Sequence, residues 1–323
     1  MDYVNLGRSG LKVSRLCLGA MTYGSSSWRP WVLDEKESRP FLARAWEEGI
    51  NFFDTADMYS LGMSEEVVGR ALRELPREQV VLATKLFNPL EDGPNQRGLG
   101  RKHVRHAVEN SLRRLGMDYI DLYQIHRFDY ETPIEETLEA LGELVSEGKV
   151  LYIGASSMWA WQLAQMLATS DRLGLPRFVS MQNHYNLLYR EEEREMNRLC
   201  VQEGVGLIPW SPLARGLLAR GEQVLTSRAE TDDYAEILYA KMKAADEPVL
   251  AALRAVAKAR GLPPAQIALA WLLAKPGVVA PIMGFSKLRQ MDDALAALLV
   301  KLSAEEMAAL EKDYMPHPIA GHQ

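Results

Sequence analysis

The sequence predicts a (β/α)8 TIM barrel, an α/β fold in which eight parallel strands alternate with helices. Short apolar runs alternate with longer helical patterns along the chain, which is typical of parallel βα units. Most of these runs begin about 28 to 40 residues apart, a spacing that favours a closed barrel over an open doubly wound sheet. The eight strands are expected to begin near Ser14, Asn51, Val80, Ile120, Val150, Phe178, Gly206 and Val278.

Local signals predict the elements around these strands. Two short strand-like segments flank Arg8–Gly10, which indicates an N-terminal β-hairpin that closes the barrel floor. Apolar residues recur at helical spacing in residues 101–115, and Gly116 follows as a C-cap. Residues 132–135 and 303–306 match the capping-box pattern. The second box predicts an extra C-terminal helix beyond the eighth unit.

The gap between the seventh and eighth strands is the longest, at about 72 residues. Long loops in a compact domain are often functional, and a loop after strand 7 lies at the face of a barrel that carries active sites. We therefore expect residues from about Ala214 to Ala245 to form a mobile flap over a bound cofactor. Because no Pro-, Ser- or Gly-rich linker divides the chain, residues 1–323 are expected to form one barrel domain.

Composition narrows the choice of partners and compartment. The net charge is −6, and a nucleic-acid partner is not expected because phosphate binding needs a basic face. Cys17 and Cys200 are the only cysteines, too few for a disulfide framework or a cysteine zinc site. The N-terminus lacks the pattern of a signal peptide, and no apolar run reaches the length of a membrane span. A cytoplasmic protein is expected.

Two further charged patterns have simple interpretations. His103 and His106 lie three residues apart on a predicted helix, but no third ligand is evident. A solvated helix face is therefore expected there, and no metal site is predicted. The acidic run Glu191–Glu193 stands at a predicted helix start, where it complements the helix dipole and needs no partner.

Three predicted strands end on an ionisable residue, namely Asp54, Lys85 and His126. Each could be structural by itself, but barrel enzymes keep catalytic groups at these strand ends. Tyr59 follows Asp54 by five residues. Lys85 could lower the pKa of the phenol, and Asp54 could keep Lys85 protonated. With His126 as a donor to a carbonyl oxygen, these four residues could polarise C=O and deliver a proton.

The same residues lie in a longer pattern. Residues 49–59 and 64–69 resemble the signature of the aldo-keto reductases around their catalytic Asp and Tyr, and Lys85 and His126 stand where that family has its Lys and His. The similarity runs from about Val4 to Leu310. It implies a barrel that binds NADP(H) across its C-terminal mouth and reduces an aldehyde or ketone. It also implies that Tyr59 is the general acid, tuned by Lys85 and Asp54, and that His126 positions the carbonyl.

The resemblance further implies the cofactor contacts. Ser156 and Gln182 would hold the carboxamide, and Trp210 would stack on the nicotinamide where many relatives use Tyr. Ser157 replaces a common Asn, and Gln290 replaces a common Arg near the adenine. The expected cofactor-binding residues are Thr22, Ser156, Ser157, Gln182, Trp210, Ser211, Leu213, Gly216, Gly284, Ser286, Lys287 and Gln290.

The cofactor is expected to be NADP(H) in preference to NAD(H). Ser286 and Lys287 stand at the start of the predicted eighth helix, where backbone N–H groups attract an anion. Ser286 has two compatible roles there, as the helix N-cap and as a phosphate ligand.

Two other functions stay open from the sequence. Lys85 could form a Schiff base in an aldolase-type lyase, although a paired Asp54 favours the ammonium over the free amine that this chemistry needs. The chain could also be an NADPH-binding regulatory subunit similar to the potassium-channel beta subunits. The expected small-molecule partner is a carbonyl or alcohol, and Trp28, which follows the first strand, is expected to line its pocket. No oligomeric state is predicted.

Overall fold

The structure is a computed structural model that describes residues 1–219 and 237–322. Two short strands, β1 and β2, pair antiparallel near the N-terminus, and eight described strands form one parallel sheet in the order β10-β3-β4-β5-β6-β7-β8-β9. The strands are β1 (Tyr3–Asn5), β2 (Lys12–Ser14), β3 (Cys17–Gly19), β4 (Phe52–Asp54), β5 (Val81–Leu86), β6 (Ile120–Ile125), β7 (Val150–Ser156), β8 (Phe178–Gln182), β9 (Gly206–Leu207) and β10 (Ile282–Met283).

The sheet closes on itself between β9 and the chain that leads into β10. Leu207 forms a parallel bridge with Val278, and the Val279 N–H donates to the Leu207 carbonyl at 2.8 Å. The predicted (β/α)8 barrel is confirmed. The eighth strand begins at Ile282 and not near Val278, because Pro281 has no N–H to contribute to a ladder.

Residues 237–239 are helical, and a further ten α-helices lie wholly within the described residues. They are α1 (Glu35–Glu47), α2 (Met63–Leu72), α3 (Arg101–Leu115), α4 (Ile134–Ser146), α5 (Ala160–Leu173), α6 (Met196–Glu203), α7 (Lys243–Arg260), α8 (Pro264–Leu273), α9 (Leu288–Ala297) and α10 (Ala304–Glu311). None of the helices in the described part of the chain is long and apolar enough to cross a membrane.

The helix-end signals are confirmed in two cases and wrong in one. Gly116 ends α3 with a φ of 63°, and Ser303 forms a capping box with Glu306 at the start of the extra helix α10. The box expected at residues 132–135 is absent, since Pro133 is the N-cap of α4 and has no side-chain acceptor. Thr132 instead donates its hydroxyl to Asp129 Oδ2 at 2.8 Å.

The expected flap lies largely outside the described residues. Of the range from Ala214 to Ala245, residues 220–236 are not described. The described part before them is a 3-10 turn over Ala214–Ala219, and the part after them includes the start of α7 at Lys243.

The N-terminal hairpin closes the floor of the barrel, as predicted. Leu6 and Val13 are fully buried and pack in the same cluster as Phe52 of β4. Gly7, with a φ of +58°, allows this close approach, because a Cβ there would lie 2.5 Å from the Gly204 carbonyl oxygen. The hairpin therefore seals one end of the barrel with apolar side chains.

Strand alternation places polar groups at the other end. Phe52, Val81 and Leu122 belong to the floor cluster, whereas their sequence neighbours Phe53, Leu82 and Tyr123 pack in the outer cluster that includes helix residues. Because successive side chains in a strand point to opposite faces, residues two or four positions further along point inward again. Those residues are Asp54, Lys85 and Gln124. The interior thus changes from apolar to polar towards the carboxyl ends of the strands.

Candidate active site

Lys85 is the centre of a buried polar network at this end of the barrel. Its Nζ donates to Asp54 Oδ1 at 2.6 Å, to the Thr55 carbonyl at 2.8 Å and to the Tyr59 hydroxyl at 3.3 Å. The Lys85 side chain is 0% exposed and that of Asp54 is 2% exposed. Burial alone would lower the pKa of Lys85, but Asp54 and Tyr59 together raise it above its ordinary value. Lys85 is therefore an ammonium whose three hydrogens all have acceptors.

Tyr59 opens a short 3-10 turn, Tyr59–Gly62, that follows β4. Burial raises the pKa of its phenol above 10, and the positive charge of Lys85 opposes that rise without cancelling it. Lys85 thus lowers the phenol pKa as expected, but burial outweighs the ammonium and the net shift of the Tyr59 pKa is upward. At neutral pH the phenol keeps the proton that an acid must donate.

His126 follows β6 and is 7% exposed. Burial, followed by the charges of Arg127 and Lys85, holds the pKa of His126 well below its ordinary value, so the ring is neutral. Asn88 Nδ2 lies 3.4 Å from His126 Nδ1. An amide nitrogen only donates, so this pairing places the ring proton on Nε2. The His126 ring also meets the Tyr59 ring edge-to-face at a centroid distance of 5.9 Å. Sequence reasoning missed Asn88, which lies in a loop without a local signal.

Two glutamines complete the surroundings of Asp54. Gln124 Nε2 and Gln182 Nε2 each donate to Asp54 Oδ2 at 2.9 Å, and Gln182 also donates to Gln124 Oε1 at 3.2 Å. Gln182, expected at the carboxamide, is thus also part of the Asp54 network. Sequence reasoning gave Gln124 no role, although it points to the same strand face as His126, and that parity could have identified it.

A second group lies at or just beyond the carboxyl ends of β7, β8 and β9. Trp210 donates its indole N–H to Ser157 Oγ at 3.0 Å, and its ring stacks on His184 with a centroid distance of 4.2 Å. The Ser156 hydroxyl donates to the backbone carbonyl of Gln182 at 2.8 Å. Ser157, which was expected near the nicotinamide carboxamide, therefore accepts a hydrogen bond from the indole. The expected cofactor residues Ser211, Leu213 and Gly216 follow Trp210 in the same loop.

The expected phosphate end lies at the start of α9. The N–H groups of Ser286 and Lys287 both donate to Gln290 Oε1, at 2.8 and 3.0 Å. Lys287, and not Ser286, is the N-cap of α9, so the N-cap role expected for Ser286 is wrong. A side-chain oxygen of Gln290 satisfies these N–H groups instead. Two backbone donors thus converge on one oxygen at an exposed helix end, an arrangement that also suits an anion.

Gly284 and Thr22 lie beside this helix end. Thr22 Oγ1 is buried and has no hydrogen-bond partner among the described residues. It lies 3.2 Å from the position that a Cβ on Gly284 would take. An unpartnered hydroxyl next to a residue without a side chain is consistent with a polar ligand group at this point.

Two sequence expectations away from these groups are corrected. Glu191 does have partners, because it accepts from the Tyr314 hydroxyl at 2.7 Å and from the His317 N–H at 2.8 Å. Burial raises the pKa of Glu192 to about 8.

His103 is buried rather than solvated, whereas His106 is exposed. Across residues 1–219 and 237–322, no group of three or more His, Cys, Asp or Glu side chains could hold a metal ion.

Sequence comparison with known proteins matches the chain to one family. A profile of the aldo/keto reductase family matches residues 15–314. The chain is 45% identical over 340 residues to versiconal hemiacetal acetate reductase from Aspergillus parasiticus, which covers 99% of this chain and 98% of the relative. It is 45% identical over 348 residues to an aldo-keto reductase from Fusarium vanettenii, covering 100% and 93% of the two chains.

A Schizosaccharomyces pombe protein with an aryl-alcohol dehydrogenase name is also 45% identical, over 346 residues that cover 99% of this chain and 97% of the relative. These alignments extend across the whole barrel and include the strand ends that carry the polar network. The chain is an oxidoreductase that belongs to the aldo/keto reductase family.

Proposed function

We propose that the protein reduces aldehydes and ketones to alcohols with NADPH, and that Tyr59 donates the proton. The observation that carries this proposal is the hydrogen bond from Lys85 Nζ to the Tyr59 hydroxyl, made by an ammonium that is itself paired with buried Asp54. It gives a protonated phenol a permanent positive neighbour. That neighbour stabilises the phenolate which forms when the proton leaves.

Each residue of the network has a separate task. His126 Nε2–H donates to the carbonyl oxygen and polarises the C=O bond. Bound across the mouth, the nicotinamide would supply hydride to the carbonyl carbon. As the oxygen gains charge, Tyr59 transfers its proton to it and the alcohol is formed. Asp54 keeps Lys85 charged and fixed, and Gln124 holds the other carboxylate oxygen in place.

The described residues fit a dinucleotide at three points. Ser156 Oγ and Gln182 Oε1 are acceptors of the type that a carboxamide NH2 needs. Trp210 offers an indole face to the nicotinamide ring. These two points lie at or just beyond the carboxyl ends of the adjacent strands β7, β8 and β9.

The third point is the start of α9, which suits a 2′-phosphate. Ser286 and Lys287 supply two N–H donors, a hydroxyl and an ammonium at an exposed helix end. Gln290 Oε1 would have to move away so that a phosphate oxygen could take its place. Thr22 and Gly284 adjoin this end of the site. This composition favours NADP(H) over NAD(H).

The substrate class is proposed to be aryl and other apolar carbonyl compounds. The Trp28 ring lies 6.3 Å from the Tyr59 ring, and the Arg29 guanidinium lies 4.6 Å from the Trp28 centroid. An indole next to the proton donor provides a flat apolar wall for an aromatic ring. A relative with an aryl-alcohol dehydrogenase name agrees with this choice.

The geometry disfavours a Schiff-base lyase. Lys85 would need a free amine to attack a carbonyl, but its pKa is raised by Asp54 and Tyr59 and its hydrogens are all engaged. The same ammonium is what the proposed proton transfer requires.

The test measures loss of NADPH absorbance against a panel of aromatic and aliphatic aldehydes and ketones, for the unmodified protein and for Tyr59→Phe. The proposal expects turnover with aromatic aldehydes and a decrease in kcat of ~10²–10⁴-fold in Tyr59→Phe, the range that general acid catalysis contributes. NADPH titration should give nearly equal affinities for the two proteins, because the hydroxyl acts only in the transition state. A near-normal rate in Tyr59→Phe would refute the role of Tyr59.

A further inference from the structure

We propose that His184 is a positioning residue that fixes the Trp210 indole as the platform for the nicotinamide ring. The inference rests on the proposed function, because it takes Trp210 as the residue on which that ring stacks. It adds residues that no cofactor atom would touch but that determine where the platform lies.

The observation that carries it is a stack of three near-parallel rings. The His184 ring lies 4.2 Å from Trp210 at an interplanar angle of 12°, and 4.1 Å from Tyr189 at 11°. Tyr189 and His184 are 0% and 1% exposed. His184 thus stacks on one face of the indole, so the proposed function puts the nicotinamide on the opposite face. The position of that face is set by the thickness and tilt of the rings behind it.

The backbone and the indole edge are fixed as well. The Trp210 N–H donates to the Asn183 carbonyl at 2.9 Å, and His184 and Trp210 form a parallel bridge. The indole Nε1–H donates to Ser157 Oγ at 3.0 Å. Gly321 approaches the same ring so closely that a Cβ on it would lie 2.8 Å from Trp210 Cζ2. The indole therefore has little freedom to slide or tilt.

Hydrogen bonds fix the imidazole in turn. Asn186 Nδ2 donates to the Tyr239 hydroxyl oxygen at 2.9 Å, so the Tyr239 hydrogen is free to point at His184 Nε2, which lies 2.7 Å away. Asn186 Nδ2 also lies 2.9 Å from the Ser211 carbonyl, next to Trp210 in the chain. Tyr239, which lies in the segment before α7, thus holds the orientation of the His184 ring.

The imidazole is neutral, which suits this position. Burial lowers the pKa of His184 to about 3. A cation under the indole would compete with the oxidised nicotinamide, which is itself a cation, for the negative faces of the ring. A neutral ring supports the indole without that repulsion.

The experiment compares His184→Ala with His184→Phe, which keeps a ring but loses the hydrogen bond. The readouts are NADPH affinity by titration of protein fluorescence, kcat and KM with one aldehyde, and melting temperature. We expect His184→Ala to weaken NADPH binding by about 3- to 10-fold, the range of one aromatic pair, and to raise KM for NADPH by more than it lowers kcat. His184→Phe should recover NADPH affinity to within about 2-fold of the unmodified protein.

Tyr185→Phe is the matched control. Tyr185 is a buried neighbour of His184, but its hydroxyl donates to Glu193 and its ring contacts Trp271, outside the stack. A merely structural role for His184 predicts that both substitutions lower the melting temperature and that neither changes NADPH affinity. That result would overturn the inference.

Trp210→Ala separates this inference from the proposed function. If Trp210→Ala weakens NADPH binding while His184→Ala does not, the positioning role is wrong and the platform stands. If neither variant weakens NADPH binding, the assignment of Trp210 as the platform is wrong too. Should His184→Ala fail to fold, Tyr189→Leu removes the rear ring instead. Unchanged NADPH affinity in Tyr189→Leu would then overturn the inference.

Discussion

Lys85 Nζ lies 3.3 Å from the Tyr59 hydroxyl and 4.8 Å from the centroid of its ring, so the ammonium sits at the oxygen end of the phenol. The same nitrogen is 2.6 Å from Asp54 Oδ1. A single lysine therefore connects a fully buried carboxylate to a phenol at the mouth of the barrel. Several measurable properties depend on this one nitrogen.

Replacement of Lys85 by Met should remove activity and stability together. The change leaves the Asp54 carboxylate buried without its cation, and loss of one side of a buried ion pair costs about 3–5 kcal/mol. Denaturant unfolding and the aldehyde assay measure the two effects. Asp54→Asn combined with Lys85→Met should restore part of the unfolding free energy, because no charge is then stranded. Full activity in Lys85→Met would contradict the role of the ammonium.

The rate of reduction should fall at alkaline pH only. Reduction needs the protonated phenol, and burial raises the pKa of Tyr59 above 10. We therefore expect kcat to be constant through neutral pH and to decrease as pH rises through the apparent pKa of the Tyr59–Lys85 pair. Oxidation of the alcohol, which needs the phenolate, should show the opposite slope. The profile of kcat against pH measures this. An acidic decrease centred near 6.5 would contradict the neutral state of His126.

Cofactor preference should respond to the start of α9. We expect the unmodified protein to prefer NADPH over NADH by roughly 10-fold in kcat/KM, since one charged hydrogen bond is worth ~1.5–3 kcal/mol and Gln290 competes for the donors. Lys287→Ala should reduce this ratio and Gln290→Arg should raise it. Lys301→Ala, an exposed lysine beyond α9, is the control and should leave the ratio unchanged. Equal kcat/KM for both cofactors in the unmodified protein would refute the phosphate site.

The C-terminal segment should give stability a pH dependence. His317 Nε2 lies 2.9 Å from Asp246 Oδ1, and both side chains are nearly fully buried. Burial alone would lower the pKa of His317, but Asp246 raises it above 6.5. Because the pKa of His317 is higher in the folded than in the unfolded state, the ion pair contributes its full stabilisation below about pH 6.5. This contribution is lost as pH rises through the pKa of His317 in the folded state.

The substitution His317→Gln tests this pH dependence. At pH 6 it should cost ~1.5–3 kcal/mol of unfolding free energy, the value of a charged hydrogen bond. The difference between the two proteins should shrink at higher pH. A difference that is independent of pH, measured by denaturant unfolding, would contradict the ionic character of this pair.

Strand ends were the predictable part of this molecule. The apolar runs located the barrel strands, and the positions of Asp54, Lys85 and His126 at or next to strand ends put them at one end of the barrel, because both patterns depend on local sequence alone. The net shift of the Tyr59 pKa was not predictable, since it depends on how deeply the phenol is buried. The acidic run at Glu191 was likewise misjudged, because two of the partners of Glu191, Tyr314 and His317, lie more than 120 residues away in the chain, in addition to its local partner Arg194.

The same limit explains the misjudged helix ends. Ser286 has the residue type of an N-cap, but Gln290 reaches back and takes the N–H groups instead. The Thr132 hydroxyl donates to the Asp129 carboxylate instead of capping α4. At α9 a neighbouring side chain takes the N–H donors, whereas at α4 the N-cap is Pro133, which has no side-chain acceptor. Sequence patterns do not show which residue caps a helix in such cases.

The alternation of floor and mouth residues along single strands has a consequence for how such an enzyme can change. On β5, Val81 belongs to the floor and Lys85 to the mouth, four positions apart on one face. Deletion of one residue between them would turn the lysine outward and leave the floor intact. A single-residue insertion or deletion within a strand therefore cannot move a catalytic side chain gradually to a new position in this barrel. New specificities must arise in the loops, where the position of Trp28 can vary without disturbing a strand.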